Sequence, residues 1–492
     1  MSWNDIFTAG PEVALALYGM VLLMVGAFGG DRLQRPMMAV TTVILIAVAL
    51  WQLSAVVVGF NGQSAFGGMY VDDDFARLMK GLVCVGAAAA LMLSFGFVQR
   101  TDMHKFEYPV IMTYAVVGMM VMASARDLIL LYMGLELMSL SSYVLATFRR
   151  SSLRSSEAGL KYFILGALSS GMLLYGMSMI YGFAGSTDFQ AIANASSQIL
   201  TGDDDLLIGM SIGLVFLAAG LGFKVSAVPF HMWTPDVYQG APTPVTAFLA
   251  GASKAAGFAM FIRVLFEALG PLSLQWISIL QLLAIASMAL GAFAAIAQSS
   301  IKRLLAYSSI GHIGFALVGL TAGTEAGVAA TITYIAIYVI MTGGAFALVM
   351  AMKRDDVELE DISELSGLVR QSPGLAVALL ILMISMAGLP PFLGFWGKFE
   401  VFRAAFEAGQ VGMVVVGLLL SVVSAFYYLR MIVLAFFAEP TEAFDPNLPG
   451  SLRFVLVVSS AVTAFGFILV LTIPAIPAMS QAAAQALMTN FL

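Results

Sequence analysis

The chain has 492 residues, of which 60% are hydrophobic and only 11% charged, with a net charge of −6 and a mean hydropathy of +0.95. Too few charged side chains exist to coat even one soluble core, so lipid is the solvent this composition suits. No run of Lys or Arg forms the basic stripe that a phosphate backbone requires, which excludes nucleic acid as a partner.

Cys84 is the one cysteine and lies in an apolar run, so this chain alone builds neither a disulfide nor a thiolate-ligated cluster. His104, His231 and His312 are too scattered for a zinc motif, and no Walker or Rossmann glycine pattern follows a strand. Residues 1–12 carry no Lys or Arg ahead of the first apolar run and are read as mature chain rather than a cleavable signal.

About 20 apolar residues cross the hydrocarbon layer as a helix. On that rule the sequence predicts an all-α polytopic membrane protein of about fourteen spans. They start near Pro11, Met37, Phe75, Tyr108, Asp127, Glu157, Leu206, Thr243, Leu274, Ile301, Ala326, Pro373, Val411 and Ser451. Loops after odd-numbered spans hold Arg32 and Arg35, Arg100 and Lys105, Arg149, Arg150 and Arg154, Lys302 and Arg303, then Lys353, Arg354 and Arg370. Loops after even spans are neutral or acidic. The positive-inside rule therefore puts the basic loops in the cytoplasm and both termini outside, in the periplasm of a bacterial plasma (inner) membrane. The two longest connections, 185–205 and 353–370, are expected to be surface linkers. Lys80, near the outer end of span three, is expected to snorkel.

Two segments look alike: residues 224–237, KVSAVPFHMWTPDV, and residues 389–401, LPPFLGFWGKFEV. Each has Pro-Phe followed by Trp beside a Lys. A five-helix unit repeated once, inverted by its odd helix count, gives the expected division: helices 1–3 in 1–106, a first repeat in 107–270, a second in 271–440 and helix 14 in 441–492. Pro229 and Pro235 in the first segment, and Pro390 and Pro391 in the second, should break their helices, because proline removes a backbone donor and crowds the preceding turn. Freed carbonyls are tolerable at bilayer depth only in a lined interior.

Glu136 and Lys254 fall mid-span, and Lys224 and Lys398 lie beside the two breaks, too deep to reach an interface. A charge at the bilayer centre costs about 2.5 to 3.5 kcal/mol on insertion scales, so these groups should face one another across a polar interior. Burial and pairing push the proton affinity of a Lys in opposite directions, and a moving neighbour changes the balance. That is the chemistry of proton stations: Glu136 paired with Lys224 in one state, then Lys224, Lys254 and Lys398 in succession. Lys161 would tune Lys224 or serve the intake, and His312 could relay between Lys254 and Lys398. His231 and Asp236 are assigned helix-end roles. Ser139, Ser141, Ser142, Ser253 and Thr342 are read as interhelical hydrogen-bonding positions.

The blocks LLYMGLELMSLSSYVL (130–145), EAGLKYFILGALSSG (157–171), PFHMWTPDVYQGAPTPVTAFLAGASKAAGF (229–258), KRLLAYSSIGHIGF (302–315) and AGLPPFLGFWGKF (387–399) carry these charges. They resemble the proton-translocating, antiporter-like subunit family of respiratory complex I, NADH:quinone oxidoreductase. Within it, TPDVYQGAPTPV together with Lys398 looks most like the N branch. The resemblance implies a non-redox subunit of the membrane arm, with Glu136, Lys161, Lys224, Lys254 and Lys398 functional and His312 a candidate. It implies no cofactor in this chain, with NADH, FMN, iron-sulfur clusters and quinone held by partner subunits. It also implies contacts with the antiporter-like sibling M, the small membrane subunits and lipids. A cation/proton antiporter and a passive scaffold are the rival expectations.

Overall fold

The computed structural model describes residues 2–59, 62–202, 204–442, 444–445 and 447–489. A short α1 (Trp3–Thr8), started by a Ser2–Asp5 capping box, precedes α2 (Gly10–Gly29) and α3 (Gln34–Val58). An antiparallel hairpin, β1 (Gln63–Ala65) with β2 (Tyr70–Asp72), pairs Gln63 with Asp72 and leads into α4 (Asp74–Arg100), whose first turn is capped by Asp73. Then come α5 (Glu107–Ser124), α6 (Leu128–Ala146) capped by Asp127, and α7 (Leu153–Ala184). Gly118 and Gly134 let α5 and α6 touch backbone to backbone: a Cβ on Gly118 would lie 2.6 Å from the Gly134 carbonyl oxygen. This close approach fixes the rotation of α6 and so the direction of Glu136, two residues on.

Next along the chain are α8 (Phe189–Gly202), α9 (Asp204–Val225), α10 (Thr234–Gly240), α11 (Thr243–Ala250) and α12 (Ala252–Arg263), which runs on as a π-turn, Val264–Ala268. The second half has α13 (Ser273–Ile296), α14 (Ile301–Thr321) and α15 (Glu325–Ala351), then a two-residue strand pair, β3 (Lys353–Arg354) with β4 (Val357–Glu358). After α16 (Leu368–Gln371) follow α17 (Pro373–Ala387), α18 (Leu393–Glu407), α19 (Val411–Phe437), α20 (Gly450–Thr472) and α21 (Ala475–Thr489). Among the described residues, thirteen helical stretches are long and apolar enough to cross a membrane. The pair α17–α18, interrupted between its halves, makes the fourteenth, and the observed starts fall within a few residues of those expected.

The stretch α11–α12 and helix α14 lie innermost, walled in by α4, α5 and α15, whereas α2 and α19 turn most of their surface outward. Exposed Leu, Val, Ile and Phe side chains on the outer helices form the apolar coat that lipid or a neighbouring subunit covers.

Both expected breaks exist. α9 stops at Val225 and the chain resumes as helix only at Thr234; the indole N–H of Trp233 donates to the carbonyl of Phe223 at 2.9 Å, satisfying an acceptor freed by the break. α17 stops at Ala387, where Gly388 takes φ +80°, a left-handed backbone that suits glycine, before α18 starts. A third interruption, unforeseen, falls at Gly251, so Lys254 sits in the first turn of α12 rather than within one continuous helix.

Four expectations need correction. Residues 185–205 are not a plain linker. Phe189, Ile192, Ala193, Ser196 and Ile199 line the buried side of α8 at helical spacing, a pattern masked by the intervening Gln, Asn and Ser; Asp203 lies outside the described residues. Segment 353–370 is no free connection either, because Ile362, Leu365 and Leu368 are buried against the core. Beyond α20 an additional helix, α21, packs across α4 and α15 with Ala483, Ala484 and Leu487 inward. Lys80 does not snorkel. It is 0% exposed, and its ammonium meets Glu12 of α2 at 2.7 Å and donates to the Tyr70 hydroxyl at 2.8 Å.

Candidate functional site

Among the buried lysines, Lys224, Lys254 and Lys398 are the three the sequence placed at bilayer depth. Lys224 closes α9, and its Nζ donates to Ser139 Oγ at 2.8 Å, with the Tyr143 ring 5.9 Å away. Ser139 stands one turn along α6 from Glu136, whose Oε1 accepts a 2.5 Å hydrogen bond from Ser170 Oγ of α7. Glu136 and Lys224 are thus brought to neighbouring turns of α6 without a direct ion pair; Ser139 occupies the ammonium instead.

Lys254, fully buried, donates to Ser226 Oγ, and its charge lies over the Trp233 ring at 5.0 Å. Thr234 Oγ1 donates to the same Ser226 oxygen at 2.6 Å. Ser226, Trp233 and Thr234 all belong to the break after α9, so that break builds the pocket for Lys254. Stacking of Trp233 on Tyr162, with centroids 4.5 Å apart, fixes the indole against α7. Across the interior, the backbone N–H of Val228 donates to Ser287 Oγ of α13 at 2.8 Å, tying the break to the second half of the chain.

Lys398 repeats the theme at the second break. Its Nζ donates to the Ala387 carbonyl at 2.8 Å, an acceptor released where α17 ends, and to Ser421 Oγ of α19 at 3.0 Å; the Phe315 ring lies 4.4 Å from the charge. A cavity of about 360 Å³ opens beside it between α18 and α19, walled by Phe395, Phe399, Phe402 and Phe406. His312 is one turn from Phe315 on α14. Its Nδ1 is hydrogen-bonded to the Tyr334 hydroxyl at 2.7 Å and its Nε2 to the Tyr428 hydroxyl at 3.0 Å. Tyr428 in turn meets Ser308, and Tyr338 donates to Ser309 at 2.7 Å with its ring 5.4 Å from the imidazole. His312 therefore has a phenol on each nitrogen.

Among the described residues, none of Lys224, Lys254 and Lys398 has a carboxylate within ion-pair distance. Lys161 differs. It lies half-exposed at the end of α7 nearer the basic loops, bridging Glu157 and Asp236 at 2.8 Å each, while Arg303 holds the other oxygen of Asp236 at 2.8 Å. These groups line a cavity of about 290 Å³. Lys161 and Lys224 do not meet.

The family model described as NADH:quinone oxidoreductase/Mrp antiporter, transmembrane, matches residues 125–424, the stretch that contains all six of these positions. NADH-quinone oxidoreductase subunit N of Parvibaculum lavamentivorans is 51% identical over 487 residues, which cover 98% of this chain and 98% of the relative. The chain belongs to the NADH:quinone oxidoreductase/Mrp antiporter family. A chain of respiratory complex I from Thermus thermophilus with bound aureothin, 36% identical, superposes with a TM-score of 0.79 over 94% of this chain and 98% of its own. A chain of the Mrp complex from Dietzia sp., 22% identical, shares the fold, with a TM-score of 0.83 over 98% and 97% of the two chains.

This family member also holds a second set of buried charges that sequence reasoning missed. Arg263, at the end of α12, reaches Asp73 at 2.6 Å, ion-pairs with Glu267, and donates from Nε to the Ala123 carbonyl at 2.6 Å; Arg126 lies 3.2 Å from Glu267. Nearby, Arg77 pairs with Asp72 at 2.6 Å, beside the Lys80–Glu12 pair. The available signals were the Asp72-Asp73-Asp74 run ahead of α4 and the four-residue spacing from Arg263 to Glu267. The hydroxyl partners Ser226, Tyr334, Ser421 and Tyr428 left no signal, since Ser and Tyr are ordinary in such helices. Among the described residues, no group of three His, Cys, Asp or Glu converges as a metal site.

Proposed function

We propose that this chain is a proton-translocating subunit of the membrane arm of an NADH:quinone oxidoreductase, in which protons cross through Glu136, Lys224, Lys254, His312 and Lys398, driven by redox chemistry held elsewhere. The observation that carries this reading is the state of the three interior ammonium groups: each is buried, and each rests on hydroxyl, carbonyl and aromatic-face partners instead of carboxylates. Such partners accept from a charged Lys yet leave no buried anion behind when the proton departs. An ion pair would trap the proton, because neutralising one member strands the other.

Proton transfer then alternates between amine and ammonium. Glu136 is the switch: moved towards Lys224 it favours the ammonium, and withdrawn it lets burial expel the proton towards Lys254. The Lys224 side chain already touches Ser139 on the same helix as Glu136, so a rotamer change is the motion required. His312, with a hydroxyl on each ring nitrogen, accepts on one side and donates on the other, while Lys398 takes the end of the row. Lys161 with Asp236 and Arg303 forms the mouth on the side of the basic loops.

The basic loops favour a cytoplasmic mouth and periplasmic termini in a bacterial inner membrane. Helix breaks at spans seven and twelve, five apart, support a division at 106, 270 and 440 into three leading helices, two inverted repeats and a C-terminal part that holds α20 and α21. One cysteine cannot hold an iron-sulfur cluster, which supports assigning the clusters to partner subunits, where NADH, FMN and quinone are also proposed to bind. The relatives named as subunit N and the matching chain of a respiratory complex I support a place in a multi-subunit complex, and the antiporter-like sibling M and the small membrane subunits are the neighbours proposed there.

The test is Lys224→Ala in the assembled complex reconstituted into vesicles. Normal assembly with quinone-linked proton transport lost supports the reading. Unchanged transport removes it, and transport retained with assembly impaired would make the chain a scaffold.

A further inference from the structure

A cavity of about 600 Å³ lies beneath α21, where α15 begins, and is lined by Glu325, Thr333, Trp396, Glu400, Arg403 and Gln481. On the orientation proposed above this is the outer face of the protein. Trp396, Glu400 and Arg403 follow one another at helical spacing along α18, so the cavity runs beside the helix that carries Lys398 but on another face of it. Lys398 instead turns towards Ala387 and Ser421.

Glu400 stands out in this cavity. Its Oε2 accepts from Arg403 at 2.6 Å, but its Oε1 is buried and has no hydrogen-bond donor among the described residues. One turn inward on the same helix, Gly397 abuts Tyr334 so closely that a Cβ there would lie 3.1 Å from the ring. Tyr334 is the phenol that hydrogen-bonds His312 Nδ1 at 2.7 Å, and its chain neighbour Thr333 lines the cavity. Tyr334 thus stands between His312 and the helix that carries Glu400, its hydroxyl on the imidazole and its ring edge against Gly397.

We propose that Glu400 is the outer proton acceptor of this chain, fed through His312 and Tyr334 on a branch that bypasses Lys398. The proposal rests on the proton-moving reading above. A proton leaving His312 Nδ1 forms a new O–H bond on Tyr334 as the phenol's own O–H bond breaks to a water beside it; water carries that proton past the Tyr334 ring into the cavity, to Glu400 Oε1. Release from Glu400 to the outer solution restores the carboxylate, and Arg403 holds it in place between cycles. His312 regains a proton at Nε2 from the Tyr428 side; once the imidazole returns to its Nδ1–H tautomer and the Tyr334 hydroxyl turns back, one proton has crossed and no electron has moved.

The experiment compares Glu400→Gln, Glu400→Asp, Tyr334→Phe and Lys254→Ala in the assembled complex in vesicles, measuring proton transport against quinone reduction. Arg403 keeps Glu407 nearby at 3.8 Å, so the Gln variant leaves no cation stranded and should assemble. Loss of a positioned proton acceptor should slow transport roughly tenfold or more in Glu400→Gln and in Tyr334→Phe. Glu400→Asp, which keeps a carboxylate, should restore most of it, as a merely space-filling role would not require. Normal transport in Glu400→Gln alongside loss in Lys254→Ala overturns the outlet alone. Normal transport in both overturns the proton-moving reading with it. Should Glu400→Gln fail to assemble, Tyr334→Phe decides: undiminished transport there overturns the branch.

Discussion

Two groups of buried cations occupy this protein, and they are treated in opposite ways. Around the start of α4, Lys80, Arg77, Arg263 and Arg126 each have a carboxylate at 3.5 Å or less, and the pairs join α2, the β1–β2 hairpin, α4 and α12. Along the interior, Lys224, Lys254 and Lys398 have hydroxyls, a carbonyl and ring faces. The first arrangement holds its protons and fixes elements in register; the second leaves each ammonium free to lose one. Burial alone therefore does not mark a transport residue. On the proton-moving proposal, the absence of a fixed counter-ion does.

The largest effect should come from attacking the paired group. Arg263→Ala leaves Asp73 and Glu267 buried together without their shared cation, and breaking such a pair costs about 3 to 5 kcal/mol. The variant should assemble poorly and lose several degrees of thermal stability, measured by unfolding of the purified complex in detergent. If it assembles and melts like the parent, the contrast between the two groups is void.

Lys254→Met should do the reverse. An apolar side chain of similar length against Trp233 removes the desolvation penalty of the ammonium, so thermal stability should hold or rise while quinone-linked proton transport falls to background. Loss of stability comparable to that of Arg263→Ala would place Lys254 among the structural charges. A milder change is Ser226→Ala. It removes the hydroxyl that Lys254 and Thr234 share, with an expected cost of about 1 to 3 kcal/mol for the partners left unsatisfied and a partial slowing of transport. Transport at the parental rate would show that the amine needs no hydroxyl acceptor there.

The contrast also explains what was legible in the sequence. Span number and position follow from hydropathy, and the two proline breaks from backbone chemistry, because both are local. Lys224 and Lys254 stood out because no acidic residue lies near them in sequence, and Lys398 because it sits beside the second helix break. Lys80 was misread because its partner Glu12 is on another helix 68 residues earlier, and pairing between helices leaves no trace in a linear pattern. Arg263 and Glu267 stand at the end of a span, where charge is ordinary in sequence, yet both are buried. The amphipathic α8 and the small-residue face of α21 were hidden by Ala, Ser and Gln, whose burial depends on what lies across from them. Glu400 sits two residues from Lys398, yet only the fold shows that the two side chains serve different faces of α18.

The smallest effect concerns a pair outside the membrane. Asp445 accepts from the backbone N–H groups of Asp355 and Asp356 at 3.2 and 3.1 Å and lies 3.3 Å from Lys353, clamping segment 353–370 to the connection before α20. The Asp356 N–H above all, with Lys353 and the Asp355 N–H, holds the Asp445 carboxyl below the usual carboxylate range. A carboxyl depressed on folding stabilises the folded form at pH values above its unfolded pKa, near 3.9, and stops doing so as the pH falls through the lower folded value. Asp445→Asn should therefore make segment 353–370 more open to limited proteolysis at neutral pH, with no change in the difference down to about pH 5 and convergence with the parent only in stronger acid. Because this site lies far from both groups of buried charges, proton transport should be unaffected. A transport defect in Asp445→Asn would mean that this clamp is coupled to the interior row, and the separation between holding and moving protons would then have to be drawn elsewhere.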